Sequence, residues 1–141
     1  MTKMKNNNYP TWLVSLEIAK ELKEIGFNEY CYFYWDNHLN LVDCYNNENG
    51  YPDLEGYNSN KYQIKCSLPT WTEVLAWFKK HYYHVNIDDK GTWIHWSFYN
   101  EMIEPPIIEN EPKDGWETDY YEALEALVVA LIKTYKQEQL K

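Results

Sequence analysis

The chain has no arginine: all thirteen of its basic residues are lysine. The planar fork that reads guanine or clamps phosphate in two bonds is therefore missing. Twenty-two acidic residues leave a net charge of −9, so a phosphate backbone is repelled where a nucleic-acid binder would release counterions. Direct nucleic-acid binding is not expected. Cysteine is also scarce: Cys31, Cys44 and Cys66 are odd in number, widely spaced and without a CxxC pair, which fits neither a disulfide framework nor a zinc ribbon. No long apolar run occurs; ALVVALI at 126–132 is far too short to span a bilayer, and the lysines of MTKMKNNNYPTW are followed by no apolar leader segment. No membrane association and a cytoplasmic location are expected. GxGxxG, GxxxxGK[ST], GxSxG and HExxH are all missing, so the usual nucleotide, phosphate and hydrolase signatures give no lead and no cofactor is expected.

What the chain has in excess is aromatic mass. Seven Trp, fourteen Tyr and four Phe make up 18% of 141 residues, a length that suits one domain spanning 1–141 with a flexible polar lead over 1–11. Tyr and Trp carry a polar handle, so part of this mass is expected at the surface.

Helix signals are local and clear. VSLEIAKELKEIGF begins with Ser15 as an N-cap and ends on Gly26 as a left-handed residue, and Phe27 can fold back onto Leu22. LPTWTEVLAWFKK carries a T-x-x-E capping box, Thr70 with Glu73, and Trp71, Val74, Leu75 and Phe78 share one face. TDYYEALEALVVALIKTYKQEQLK carries an apolar stripe from Tyr120 through Ala123, Leu124, Leu127, Val128, Leu131 and Ile132 to Tyr135, capped by Asp119 with Glu122.

Strand signals lie between the helices. YCYFYW and HLNLVDCY predict one hairpin, with Leu39 and Leu41 turned inward, and KYQIKC predicts a short edge strand. YYHVNI and TWIHWSFY predict a second hairpin turning about Asp89-Lys90, which puts Val85, Ile87, Ile94, Trp96 and Phe98 inward. Segments 46–60 and 100–117 predict surface loops. The order α-β-β-α-β-β-α predicts an α+β fold, an antiparallel sheet of two hairpins packed on one face by three helices.

Pairing about Asp89-Lys90 sets His84 opposite His95, and with His81 nearby a metal site is the sharpest chemical alternative, although no acid or thiol is placed to complete its ligand set. The same pairing turns Trp93, His95 and Tyr99 to the outward sheet face, with Tyr32 or Tyr30 doing likewise in the first hairpin. That face suggests a non-enzymatic interaction surface, for a protein partner or a second copy of the chain. An acidic inhibitor that imitates nucleic acid to occupy a host defence protein is a further alternative, given the charge.

The segments SLEIAKELKEIGF, LPTWTEVLAWFKKHYYHVNI and YYEALEALVVALIKTY, in that order, resemble a family of small uncharacterised proteins of gut Bacteroidales, often associated with prophage or other mobile elements. The likeness runs over residues 12–135 and rests on Ala19 through Phe27, Pro69-Thr70, Trp77-Phe78, Trp93 to Tyr99 and Tyr121 through Ala123. These are caps and packing positions. The resemblance implies a shared fold and a phage-linked source, and carries over no catalytic residue.

Overall fold

The computed structural model describes residues 10–35, 41–43, 60, 65–103, 107–111 and 119–140. Its elements are α1 (Leu16–Glu24), β1 (Phe33–Trp35), β2 (Leu41–Asp43), β3 (Cys66–Leu68), α2 (Trp71–Lys80), β4 (Tyr83–Asp89), β5 (Ile94–Asn100), β6 (Ile108–Glu109) and α3 (Tyr120–Gln139). The class is α+β, and helices and hairpins alternate in the expected order. The two hairpins do not share one sheet: each belongs to its own three-stranded antiparallel sheet, β2-β1-β3 and β4-β5-β6. The residues group into two compact units, 1–73 and 74–141.

In the first unit the end of α1 is fixed by its own backbone. Ser15 accepts from the Ile18 N–H at 3.3 Å, and Gly26 takes φ +94°. The Phe27 N–H then reaches the Leu22 carbonyl at 2.9 Å and the Gly26 N–H the Lys23 carbonyl at 3.1 Å, the two bonds of a Schellman motif. Phe27 and Leu22 are both fully buried, as the expected fold-back requires. Strand β1 is central, pairing Tyr34 with Val42 on one side and with Ser67 on the other. Residues 61–64 of the expected edge strand lie outside the described residues; the strand itself begins at Cys66.

Asn60 holds β3 to the exit of α1. Its amide donates to the Phe27 carbonyl at 3.0 Å while its Oδ1 accepts from the Ser67 N–H at 2.8 Å. Ser67 is 1% exposed, so that N–H has no water to fall back on. Residues 11–14 are tied to the start of α2: the Trp71 indole donates to the Thr11 carbonyl at 2.8 Å, and the Val14 N–H to that of Pro69 at 3.1 Å. Leu41, expected to face inward, is 40% exposed because β2 is an edge strand. Leu39, Cys44 and the 46–59 loop lie outside the described residues.

The capping box forms as read. Glu73 accepts from the Thr70 N–H at 2.8 Å and Thr70 from the Glu73 N–H at 3.2 Å. Trp71, Val74 and Phe78 are buried, and so is Trp77, which the i, i+3, i+4, i+7 stripe omits.

In the second unit β4 and β5 pair over their whole length, Tyr83 with Asn100 through Asp89 with Ile94. The turn is not at Asp89-Lys90. The Lys90 N–H donates to the Trp93 carbonyl at 2.9 Å, leaving Gly91-Thr92 as a two-residue loop, and Gly91 sits at φ +84°, where a mirror-image hairpin turn needs a residue without Cβ. The register therefore moves by four places, an even number, so every side chain keeps its expected face while every partner changes. Asp89 steadies the turn by accepting from the Gly91 N–H at 2.8 Å.

The segment 100–117, expected to be a surface loop with neither helix nor inner strand over most of its length, also contributes the two-residue edge strand β6, whose Ser97–Glu109 and Phe98–Ile108 pairs extend the sheet. Asn110 continues that ladder with its side chain, accepting from the Trp96 N–H at 2.8 Å and donating to the Ile94 carbonyl at 2.9 Å. Helix α3 packs on β5 and buries Ala123, Leu124, Leu127, Val128, Leu131 and Ile132, and Asp119 caps it by accepting from the Tyr121 and Glu122 N–H groups. Tyr120, assigned to the same stripe, is half exposed.

Replacing Asn60 by Ala removes its bonds to the Phe27 carbonyl and to the buried Ser67 N–H, which should lower stability by about 2 kcal/mol in a denaturant titration. Tyr82 holds φ +74° with its ring half exposed, so Tyr82→Gly should raise the unfolding free energy by up to about 1 kcal/mol, the relief of left-handed strain less the added chain entropy.

Candidate functional site

The outward face of the second sheet follows directly from the observed register. His84 lies opposite Tyr99, not His95, and the two rings stack at 5.0 Å between centroids and 16° between planes. Tyr99 remains 45% exposed. His84 Nε2 also lies 3.4 Å from the Glu101 carboxylate. His95 lies opposite Asp88, four residues along β4 from His84 and so about 13 Å away. It has separate company: its Nε2 is 3.0 Å from Glu109 of β6, and the Trp93 ring meets it edge-on at 5.2 Å. Trp93 is half-buried.

His81 belongs to neither group. Its Nδ1 lies 2.9 Å from the Trp77 carbonyl, which can only accept, so that nitrogen carries the proton. The ring packs 4.0 Å from Trp77 and edge-on to Tyr135 at 5.7 Å. The three histidines thus occupy three environments, and the described residues contain no group of three His, Cys, Asp or Glu side chains able to hold a metal ion. Tyr32 lies in the first unit, half-buried and stacked on Phe33 at 5.0 Å; Tyr30 is 61% exposed.

Outward parity along the strands does not reach the turn that leaves β5. Asn100 folds it, its Oδ1 accepting from the Met102 N–H at 2.9 Å and its carbonyl from the Ile103 N–H at 3.2 Å. The turn puts Met102 and Ile103 at the surface beyond Tyr99, 68% and 42% exposed. Two adjacent apolar residues before a proline pair were the available signal. Glu101 beside them, Asp88 and Glu109 are exposed acids on the same sheet. Lys90, 2.8 Å from Asp88, hydrogen-bonds it and holds its carboxyl below the usual range.

The inner face offers little room. Ile87, Trp96, Tyr120, Ala123, Leu124 and Leu127 line a notch too narrow to admit a water molecule, where ordinary ligand pockets run to several hundred Å³ (about 300–1,000). The Trp96 indole N–H is buried there without an acceptor. Both described cysteines are buried. Burial pushes the Cys66 thiol up, against a weaker pull from Lys23 and Lys20, and so opposes the thiolate that nucleophilic chemistry requires.

Comparison of the chain with protein-family models, curated proteins and solved structures gives no match.

One polar contact inside the second unit has a measurable signature. The buried Tyr83 phenol donates to Glu138 at 2.7 Å, and burial first, then the Glu138 carboxylate, raises its pKa well above the ordinary value of about 10. A raised folded pKa means the contribution is whole below about pH 10 and is lost as pH climbs through the folded value. Wild type should therefore exceed Tyr83→Phe by about 1 kcal/mol at neutral pH, with the gap closing above about pH 10 in urea titrations.

Proposed function

We propose that the protein is a non-enzymatic interaction module whose contact surface is the outward face of the β4–β5 sheet and the turn after it. The observation that carries this reading is the exposed group of Tyr99, stacked on His84, with Met102 and Ile103 immediately beyond. A tyrosine held in place by a neighbouring ring loses little entropy on binding, and exposed Met and Ile beside it supply adaptable apolar area. Around them Glu101, Asp88 and Glu109 form an acidic rim. An apolar centre with a polar rim is the anatomy of a protein contact, and the sign of the rim selects a partner with cationic groups at the edge of its own apolar patch. The net charge of −9 favours the same choice over an anionic partner.

The reading includes a cytoplasmic setting and, from the resemblance to proteins of prophage and other mobile elements, a phage-linked origin with a host protein as target. No helix among the described residues is long and apolar enough to cross a membrane, which accords with that setting.

Capture from cells of the host with wild-type protein and with the Tyr99→Ser/Met102→Ser double variant tests the proposal. A basic-faced protein retained by wild type should bind the variant at least tenfold more weakly, about 1.4 kcal/mol, while the circular-dichroism spectrum and melting curve stay the same. Equal retention by both proteins, or recovery of nucleic acid alone, overturns it.

A further inference from the structure

We propose that the free edge of β4 is a self-pairing site through which two copies of the chain join their second sheets into one continuous six-stranded sheet. The phase of the β4–β5 ladder fixes which backbone groups of β4 point away from β5. The Lys90 N–H reaches the Trp93 carbonyl and the Glu101 N–H reaches the Tyr82 carbonyl, so the even-numbered positions of β4 turn their backbone groups toward β5. Alternation then turns the N–H and C=O groups of Tyr83, Val85, Ile87 and Asp89 to the opposite edge. Among the described residues β5 is the only strand beside β4, and Asn86 at the strand's centre is exposed. The sheet's other edge is the two-residue β6, too short to template a partner.

Two copies in a continuous antiparallel sheet must place paired residues on the same face, so a two-fold axis has to pass through a residue. An axis at Asn86, the exposed centre of the strand, pairs Val85 with Ile87 of the second copy, twice by symmetry, giving two pairs in which both residues present their backbone groups, about four hydrogen bonds. Tyr83, 2% exposed, is covered within its own copy and stays outside the ladder. The side chains agree with this register. On the inner face Val85 meets Ile87, both only half-buried in one copy. On the outer face Asp88 meets His84, placing an acid beside an imidazole. The charged end, Asp88, Asp89 and Lys90, would blunt the edge if it lay at the centre; here it falls at the two rims of the ladder. The backbone ladder lies along the edge, and its outer-face pair, Asp88 with His84, borders the face assigned to a protein partner.

Crosslinking tests the register. Asn86 faces itself in a pair without hydrogen bonds, with Cα atoms about 4.5 Å apart, inside the range of about 4.4–6.8 Å that a disulfide spans. In full-length protein carrying Cys44→Ser, the Asn86→Cys variant should form a bridged dimer under mild oxidation, with the bridge mapped to residue 86 by peptide mass. Asp88→Cys, about 13 Å from its own copy, should yield at least tenfold less. Sedimentation of the wild-type chain should show mass rising with concentration from 17.1 kDa toward twice that value. Tyr99→Ser should leave this dimer intact, so loss of partner capture and loss of self-pairing read separately. A mass of one chain at every concentration overturns the inference, as does a dimer in which both cysteines bridge equally or neither does.

Discussion

The register of the β4–β5 hairpin is the constraint on which the second unit depends. It is set by Gly91, whose φ of +84° only a residue without Cβ holds at little cost, and by the two-residue loop that follows from it. That loop makes Lys90 and Trp93 the last hydrogen-bonded pair. From there the pairing runs without a bulge to Tyr83 and Asn100. Which rings stack outside, which fill the interior and which backbone groups reach the open edge all follow from this one choice. A one-residue slip would have exchanged the faces entirely; the four-residue difference from a turn at Asp89-Lys90 exchanged only the partners.

With the faces fixed, the aromatic excess finds its place. Trp96 stacks on Phe98 at 6.1 Å, Phe98 meets Tyr83 at 6.1 Å, Tyr83 meets Phe78 edge-on at 5.7 Å, and Phe78 and Trp77 close on Tyr135. Each offset or edge-on pair is worth about 0.5–1.5 kcal/mol beyond its buried area, and the geometry specifies one packing more sharply than branched aliphatics do. Polar handles limit such a core. Tyr83 satisfies its hydroxyl on Glu138, whereas the Trp96 indole N–H is left over, a cost of about 1–3 kcal/mol that the surrounding ring contacts offset. The helix start at Trp71 answers the same need for packing: of its aromatic residues, Trp71, Trp77 and Phe78 are interior.

What was legible in the sequence was local. Ser15, Gly26, Thr70 with Glu73, and Asp119 all act on backbone groups within four residues of themselves, so their letters and spacing suffice. The inward and outward sets of the second hairpin were also legible, because a period of two survives any even shift. The partners were not. His84 beside Tyr99 is decided by the turn, and Asp89-Lys90 and Gly91-Thr92 are both acceptable turn dipeptides on composition. The long-range polar contacts were less visible still. Asn60 and Asn110 sit in stretches that read as loop, yet one side-chain amide ties the exit of α1 to β3 and the other continues the β5–β6 ladder, and only the folded chain says which carbonyl and which N–H they meet. Met102 and Ile103 stood as two apolar letters in a loop until the Asn100 turn raised them to the surface beyond Tyr99.

The placement of charge brings the outer face and the open edge together. With lysine as its sole strong cation, the chain has no bidentate donor to hold an anion, and near the outer face the one lysine on β4's flank, Lys90, is engaged by Asp88 at 2.8 Å. On the proposed reading an anionic partner would be repelled by the net charge of −9, while a cationic rim on a partner would meet Glu101 and Glu109. A second copy carries the same negative charge, and that repulsion must be outweighed by contacts that do not depend on sign. A backbone ladder along β4 supplies such contacts, and the Val85–Ile87 pairs add apolar area beneath it. Salt screens the repulsion within about 10 Å and leaves the ladder untouched, so self-pairing strengthens as ionic strength rises, whereas a contact built on the acidic rim weakens. The two proposed uses of the sheet would thus respond to salt in opposite directions: the proposed face surrounds its apolar centre with an acidic rim, and the proposed edge pairs through the backbone.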